Sequence, residues 1–138
     1  MPIATDKAQE FITQLMSASH LCPAHRFKED AFKLLQELLP FDKGIWISGQ
    51  TQSLKVHNAY LHNLPKEMMD NWEKVKKQDR MVAQVIKNPG QTLDVMDFYT
   101  RSERASLEIY RSHSRLYGIE NAISTALPDP GTGLLEAI

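Results

Sequence analysis

Aromatic side chains and one histidine recur inside the predicted helices and strands of this sequence, where they could line a binding pocket. Trp46 and Tyr60 lie on two neighbouring predicted strands, and Trp72 lies on the apolar stripe of a predicted helix. Small-molecule pockets are lined mainly by apolar and aromatic groups, with a few polar groups that fix the ligand's orientation. The candidate ligand-binding residues are therefore Trp46, Tyr60, Trp72, Tyr110 and His113. The alternative for each aromatic is an ordinary place in the hydrophobic core, and for His113 a hydrogen-bonded core or boundary position.

His20, Cys22 and His25 come nearest to the spacing of a metal site. Zinc sites usually draw paired Cys and His ligands from two structural elements, whereas these three residues lie in one predicted linker. We therefore expect no metal and no cofactor, and we interpret the segment as a surface loop. A nucleophilic Cys22 would need a lowered pKa and an oriented base. Nothing nearby in the sequence supplies an acid to orient that base, so we expect a structural thiol.

The usual sequence signatures of enzymes are missing, and we expect a protein that is not an enzyme. There is no Gly-rich phosphate loop, no HExxH and no GxSxG. The net charge of −1 does not suit this chain to grip nucleic acid, which requires a clustered basic surface. No signal peptide is visible, and no apolar run approaches the roughly 20 residues that span a bilayer. A single cysteine excludes an intrachain disulfide, and we expect a cytoplasmic protein without membrane contact.

Two helices are predicted at the start of the chain. The first covers about 6–19, with Thr5 or Asp6 as its cap. The second is amphipathic from Phe27 and ends before Pro40, because proline disfavours helical geometry at the preceding residue and has no N–H.

A hairpin follows and carries two of the candidate residues. Strands are predicted over 44–50 and 54–62, joined by a polar turn. Alternation along antiparallel strands places Trp46 and Tyr60 on one face and Ile47 on the other. We expect the aromatic face to meet the helices that close a pocket, and the opposite face to pack on the N-terminal helices.

The second half of the sequence is predicted to be mainly helical. A third helix opens near Pro65, and a fourth spans about 79–87. The last helix starts at a capping box formed by Thr100 and Glu103 and runs to about Tyr117. Strands are predicted over 121–127 and 134–138, and a short strand or extended loop over 92–95.

The sequence is interpreted as an N-terminal helix and linker, 1–24, followed by one domain, 25–138. At 138 residues the chain is long enough for one real core. It stops inside the predicted strand 134–138, which favours a domain cut from a longer protein. The alternative is a natural C-terminal edge strand.

Four segments resemble the N-terminal sensor domain of LuxR-type transcriptional regulators. In that family a helix ending in LPFD leads to a Trp-bearing strand. An LP helix start then precedes an Asp-containing segment, a Pro-Gly turn and a late GI strand. The resemblance covers roughly residues 25–138, and the order of elements is that of a GAF-like or PAS-like sensor. The segments are LLQELLPFDKGIWISG, VHNAYLHNLPKEMMDNW, QDRMVAQVIKNPGQTLDVMDF and YGIENAISTALPDPGTGLLEAI.

The resemblance implies a bacterial regulator whose N-terminal domain senses a ligand and forms a homodimer. DNA would be bound only by a C-terminal helix-turn-helix, which is absent from this sequence. The acyl-homoserine-lactone branch of the family uses an Asp-Pro pair with aromatic residues upstream. Asp79 matches the Asp and is thereby added to the ligand-binding candidates, and Trp72 is the counterpart of an upstream aromatic. Arg80 replaces the Pro, and no Tyr accompanies Trp72 on its helix, so we expect a small, largely apolar effector other than such a lactone.

The predicted fold is α/β (α+β), with a GAF/PAS-like central antiparallel sheet flanked by helices. The predicted function is ligand sensing, in which an effector favours one packing of the helices and so acts on a dimer or a following domain. The alternative is a structural dimerisation module with a filled core. A third hypothesis is a small enzyme of unrecognised chemistry, which a polar cleft with perturbed titratable groups would favour.

Overall fold

The computed structural model describes residues 4–138, in which a four-stranded antiparallel sheet has helices on both faces. The strand order is β2–β1–β6–β5, and a two-stranded pair, β3–β4, lies apart from it. The strands are β1 (Gly44–Gly49), β2 (Val56–His62), β3 (Leu93–Asp94), β4 (Ile123–Ser124), β5 (Ala126–Pro128) and β6 (Leu135–Ala137). The predicted α+β class, an antiparallel sheet flanked by helices, is confirmed. The likeness to GAF and PAS domains stays a prediction.

The two predicted N-terminal helices are present and pack on each other. They are α1 (Thr5–Leu21) and α2 (Ala24–Leu38). The predicted cap of α1 is wrong, because Ala4 is the N-cap and no side chain caps the helix. Although α1 is the longest helix described, it contains no buried residue. Residues 1–3 of the predicted segment 1–24 lie outside the described residues.

No helix within residues 4–138 is both long and apolar enough to cross a membrane.

The aromatic face of the hairpin packs on α2. Trp46 pairs with Tyr60 in the β1–β2 register, so the predicted alternation is confirmed. Phe32 of α2 contacts both of them, with ring centroids 6.4 Å from Trp46 and 5.6 Å from Tyr60. Gly44 permits this approach, since a Cβ there would lie 2.5 Å from the Phe32 ring. The predicted assignment of faces is therefore wrong: the aromatic face, and not the face of Ile47, packs on the N-terminal helices.

The other face of the sheet meets the helices of the second half. One of them is α4 (Arg80–Lys87), which supplies Met81 and Val85 to the main buried cluster; α3 (Glu67–Val75) comes before it in the chain. Ala137 lies opposite Ile47 and packs against the main buried cluster, so the side chain of Ile47 points to that cluster. The cluster comprises Met81, Val85, Val95, Tyr99 and Ala126.

The predicted long last helix is interrupted. Helix α5 covers only Arg101–Ser106, and the backbone is extended at Leu107, with φ −76° and ψ 140°. A π-helical turn, Tyr110–Ser114, and a 3₁₀ turn, Arg115–Tyr117, follow. Arg104 and Ile109 are both buried. Residues five apart lie on different sides of a continuous helix, so the interruption allows both side chains to be buried. The predicted strand 121–127 is likewise split, into β4 and β5.

The capping box at the start of α5 is confirmed. The Thr100 hydroxyl accepts from Glu103 N–H at 3.1 Å, and the Glu103 carboxylate accepts from Thr100 N–H at 2.9 Å. We expect Thr100→Ala to lower the free energy of unfolding by about 1 kcal/mol, because the backbone N–H of Glu103 loses the hydroxyl that accepts its hydrogen bond. Urea denaturation followed by circular dichroism measures the loss. Thr100→Ser keeps the hydroxyl and is the control; equal stability of the two variants would contradict the capping role.

Candidate ligand-binding site

An apolar cavity of about 100 Å³ lies between the α1–α2 pair and the sheet, and we call it the α1–α2 cavity. Its lining comes from both helices, from β1 and from the residue that follows β6. The lining residues are Phe11, Leu15, Phe27, Ala31, Phe32, Leu35, Trp46 and Ile138. Since every one of these side chains is apolar or aromatic, the cavity suits an apolar group.

The carboxylate of Glu136 is hydrogen-bonded to Trp46, one of the residues that line this cavity. One oxygen accepts a hydrogen bond from the Trp46 indole Nε1–H at 2.9 Å, and the other accepts from the Ser48 hydroxyl at 2.6 Å. Ile138, two residues beyond Glu136, lines the cavity. Because alternate residues of an extended strand share a face, Glu136 points to the same side as Ile138. Within residues 4–138, no lysine, arginine or histidine forms an ion pair with Glu136.

Trp46 and Tyr60 are both half-buried under α2, but only Trp46 lines the α1–α2 cavity. The ammonium of Lys28 lies 5.2 Å from the centroid of the Trp46 ring, within the range of a cation–π contact. Tyr60 stacks on Phe32 at an interplanar angle of 24°. Burial raises the pKa of Tyr60, so its phenol is neutral at pH 7. Tyr60 therefore supports a residue of the cavity wall without lining the cavity.

Trp72 of α3 and Asp79, the N-cap residue of α4, are joined by a hydrogen bond. The indole Nε1–H of Trp72 donates to one carboxylate oxygen of Asp79 at 3.0 Å. The other oxygen accepts from the backbone N–H of Val82 at 3.2 Å and caps α4. Asp79 thus joins α3 to α4 with both of its oxygens.

His113 is buried in the π-helical turn and contacts α3. Its Nε2 lies 3.2 Å from the carbonyl oxygen and 3.1 Å from the sulfur of Met68, and its ring meets Tyr117 edge-on. Burial lowers the pKa of His113, although the hydrogen bond to Met68 and the charge of Asp79 act in the opposite direction. The buried imidazole is therefore neutral at pH 7 and ties the π-helical turn to α3.

We expect His113 to make the protein less stable in mild acid. Since its pKa is lower in the folded protein than in the unfolded chain, the unfolded chain binds more protons as the pH falls through about 6.5. His113→Gln should therefore lose less stability than the wild type between about pH 7.5 and about pH 5.5. Urea denaturation at both pH values measures the difference. His57→Gln, at an exposed position, is the control, and an acid loss as large in His113→Gln as in wild type would refute the assignment.

Tyr110 lies in a third place, apart from the α1–α2 cavity and from the Trp72–Asp79 pair. Its hydroxyl reaches both carboxylate oxygens of Glu120, at 3.0 and 2.9 Å. That hydrogen bond, together with burial, raises the pKa of Tyr110. The guanidinium of buried Arg104 lies 5.0 Å from the ring centroid. The structure thus divides the six residues proposed from the sequence among three places: Trp46 with Tyr60, Trp72 with Asp79 and His113, and Tyr110.

The thiol of Cys22 is held by a carboxylate. Cys22 Sγ donates to Asp30 Oδ2 at 2.7 Å. This hydrogen bond, then burial and the Asp30 charge, raises the pKa of Cys22, which makes the thiol a poor nucleophile. His20 and His25 are exposed. Among the residues that the structure describes, no group of three or more His, Cys, Asp or Glu side chains is placed to hold a metal ion.

No protein-family model, curated protein or solved structure matches this chain. The resemblance to LuxR-type sensors therefore stays a prediction. The α1–α2 cavity and the carboxylate beside it rest on geometry alone.

Sequence reasoning missed most of the α1–α2 cavity. Glu136 gave a weak signal, because it is the charged middle residue of a short strand whose other two residues, Leu135 and Ala137, are apolar. Its hydrogen-bond partners are 88 and 90 residues away in the chain, so no local pattern links them. Phe32, which is only 3% exposed and lines the cavity, was not among the residues proposed from the sequence.

Proposed function

We propose that this chain is a ligand-sensing regulatory domain that holds a small, largely apolar effector in the α1–α2 cavity. The observation that carries the proposal is an apolar cavity whose wall residue Trp46 is hydrogen-bonded to a carboxylate, that of Glu136. Ligand pockets combine such apolar walls with a small number of placed polar groups. The resemblance to LuxR-type sensors adds the expectation that the readout is transcription, through a DNA-binding domain outside this sequence.

The size of the cavity indicates that α1 moves when an effector binds. A cavity of about 150 Å³ accommodates benzene, and drug-sized ligands need roughly 300–1,000 Å³. At about 100 Å³, the α1–α2 cavity holds only a short apolar group as it stands. Helix α1 supplies Phe11 and Leu15 to the wall but buries no residue. Displacing α1 therefore disrupts less packing than displacing α2, whose Ala31 and Phe32 are buried.

The displacement of α1 supplies a physical signal. An effector that binds the open arrangement better than the closed one shifts the population toward the open arrangement. The exposed side of α1 then takes a new position relative to the sheet. A homodimer partner or a following domain that contacts α1 would respond to that change.

The alkanol series from 1-butanol to 1-octanol tests the proposal. We expect 1-hexanol to raise the melting temperature of the chain saturably, because a ligand that binds only the folded state stabilises it by mass action. Ala31→Leu fills the α1–α2 cavity and should abolish the rise. Ala83→Leu makes the same change at an exposed position of α4 and should keep it.

A second filling variant, Leu15→Phe, approaches the cavity from α1 and protects the test against a misfolded Ala31→Leu protein. No saturable rise with any alkanol in the wild type would contradict the proposal. So would an equal rise in wild type, Ala31→Leu and Leu15→Phe.

The second candidate function is a structural dimerisation module. The exposed apolar side chains of α1 favour it: Ile12 is 53% exposed, Met16 60% and Leu21 85%. If this candidate is right, light scattering should detect a wild-type dimer at all alkanol concentrations. The double variant Ile12→Ser/Met16→Ser should be monomeric. An alkanol-dependent melting temperature that Ala31→Leu abolishes would favour the sensor instead.

A further inference from the structure

We infer that Glu136 selects the effector, and that the effector is an apolar amine whose ammonium group binds this carboxylate while its hydrocarbon part enters the α1–α2 cavity. The inference rests on the proposed function, since it names the chemical class that the same site would take. It adds a charge to a ligand otherwise described only as apolar.

The carboxylate of Glu136 has unused hydrogen-bonding capacity. An ionised carboxylate has about four acceptor positions, and an ammonium group has three donors. Trp46 and Ser48 supply one donor each, one to each oxygen. Each oxygen therefore keeps a free acceptor position. Both donors are neutral groups, and no cationic side chain of residues 4–138 forms an ion pair with this carboxylate.

The carboxylate of Glu136 lies in partly buried surroundings. Ser48 is only 7% exposed, and the neighbouring cavity wall is apolar throughout. Water is partly excluded there, and a charge-assisted hydrogen bond is stronger in such a setting than at an open surface. Lys28 is the cation placed by the structure over the Trp46 ring, but it forms no ion pair with Glu136.

The carboxylate and the α1–α2 cavity are linked through Trp46. Trp46 both lines the α1–α2 cavity and donates to Glu136, and Ile138 lines the cavity two residues beyond Glu136. Glu136 thus binds one wall residue and lies two positions before another in the chain. A straight-chain amine has its charge at one end and an apolar chain at the other, as this arrangement requires. An alkylamine is protonated at pH 7, as a lysine side chain is.

Isothermal titration calorimetry of the wild-type chain with hexylamine, 1-hexanol and hexanoate tests the inference. We expect hexylamine to bind about tenfold more tightly than 1-hexanol, as a charge-assisted hydrogen bond allows, and hexanoate to bind more weakly than either. Glu136→Gln retains an acceptor for Trp46 or Ser48 but loses the charge. It should bind the amine and the alcohol equally, to within about twofold. Glu37→Gln removes the same charge from an exposed position of α2 and should keep the preference.

Two outcomes would overturn the inference and leave the proposed function standing: equal binding of hexylamine and 1-hexanol by the wild type, or an undiminished amine preference in Glu136→Gln. An undiminished amine preference in Glu136→Gln would mean that the amine binds at another acidic group. Should Glu136→Gln not fold, rising salt on the wild type takes its place. Salt must weaken hexylamine binding more than 1-hexanol binding, and an equal effect counts against Glu136. If none of the three compounds binds, the proposed function fails as well.

Discussion

Phe32→Ala is expected to lower the free energy of unfolding by about 3–5 kcal/mol, the usual loss for a large aromatic removed from a core. Phe32 is 3% exposed and stacks on Tyr60 and His62, with centroids 5.6 and 5.5 Å away. It also meets Phe41 and Trp46 edge-on. Its removal would leave a space continuous with the α1–α2 cavity, because Phe32 is one of the residues that line that cavity.

Urea denaturation monitored by circular dichroism gives the size of this loss. Lys33→Ala, at the exposed neighbouring position, is the control and should change stability little. Phe32→Leu keeps much of the apolar volume and should cost less than Phe32→Ala. A loss below about 1 kcal/mol in Phe32→Ala would show that α2 does not pack on the hairpin in this way.

Asp79→Ala is expected to lower the free energy of unfolding by about 2–4 kcal/mol. The change removes the cap of α4, which is worth about 1 kcal/mol. It also leaves the indole N–H of buried Trp72 without its acceptor, at a further cost of about 1–3 kcal/mol. Urea denaturation measures the sum.

Asp79→Asn distinguishes a structural role of Asp79 from a role in ligand binding. Asparagine caps helices well and keeps one carbonyl oxygen as an acceptor, so the loss should be clearly smaller than in Asp79→Ala. Equal losses would contradict the structural role. Because Asp79 lies apart from the α1–α2 cavity, Asp79→Asn should bind 1-hexanol as the wild type does. A loss of that binding would instead support the ligand contact implied by the resemblance to LuxR-type sensors.

Several local features could be predicted because neighbouring residues alone decide them. The end of α2 before Pro40 and the capping box of Thr100 follow from backbone chemistry within a few residues. The shared face of Trp46 and Tyr60, which pair in the observed register, follows from alternation along the two strands.

The packing of these elements could not be predicted in the same way. Both faces of the hairpin carry apolar or aromatic side chains, and both sets of helices carry apolar stripes. The local pattern therefore fits either assignment of faces. The close approach of Phe32 to Gly44 occurs only in the observed arrangement, in which α2 lies on β1. No local sequence pattern indicates it.

By itself, the sequence determined the mixed helix and sheet content, most element boundaries and the side of the hairpin on which Trp46 and Tyr60 lie. The tertiary structure alone decided that α2 covers that side, that the helix after Thr100 breaks at Leu107, and that Glu136 meets Trp46 and Ser48. The physical reason is range. Caps, turns and alternation depend on residues a few positions apart, whereas burial and the Glu136 hydrogen bonds join groups about 90 residues apart, which come together only when the whole sheet forms.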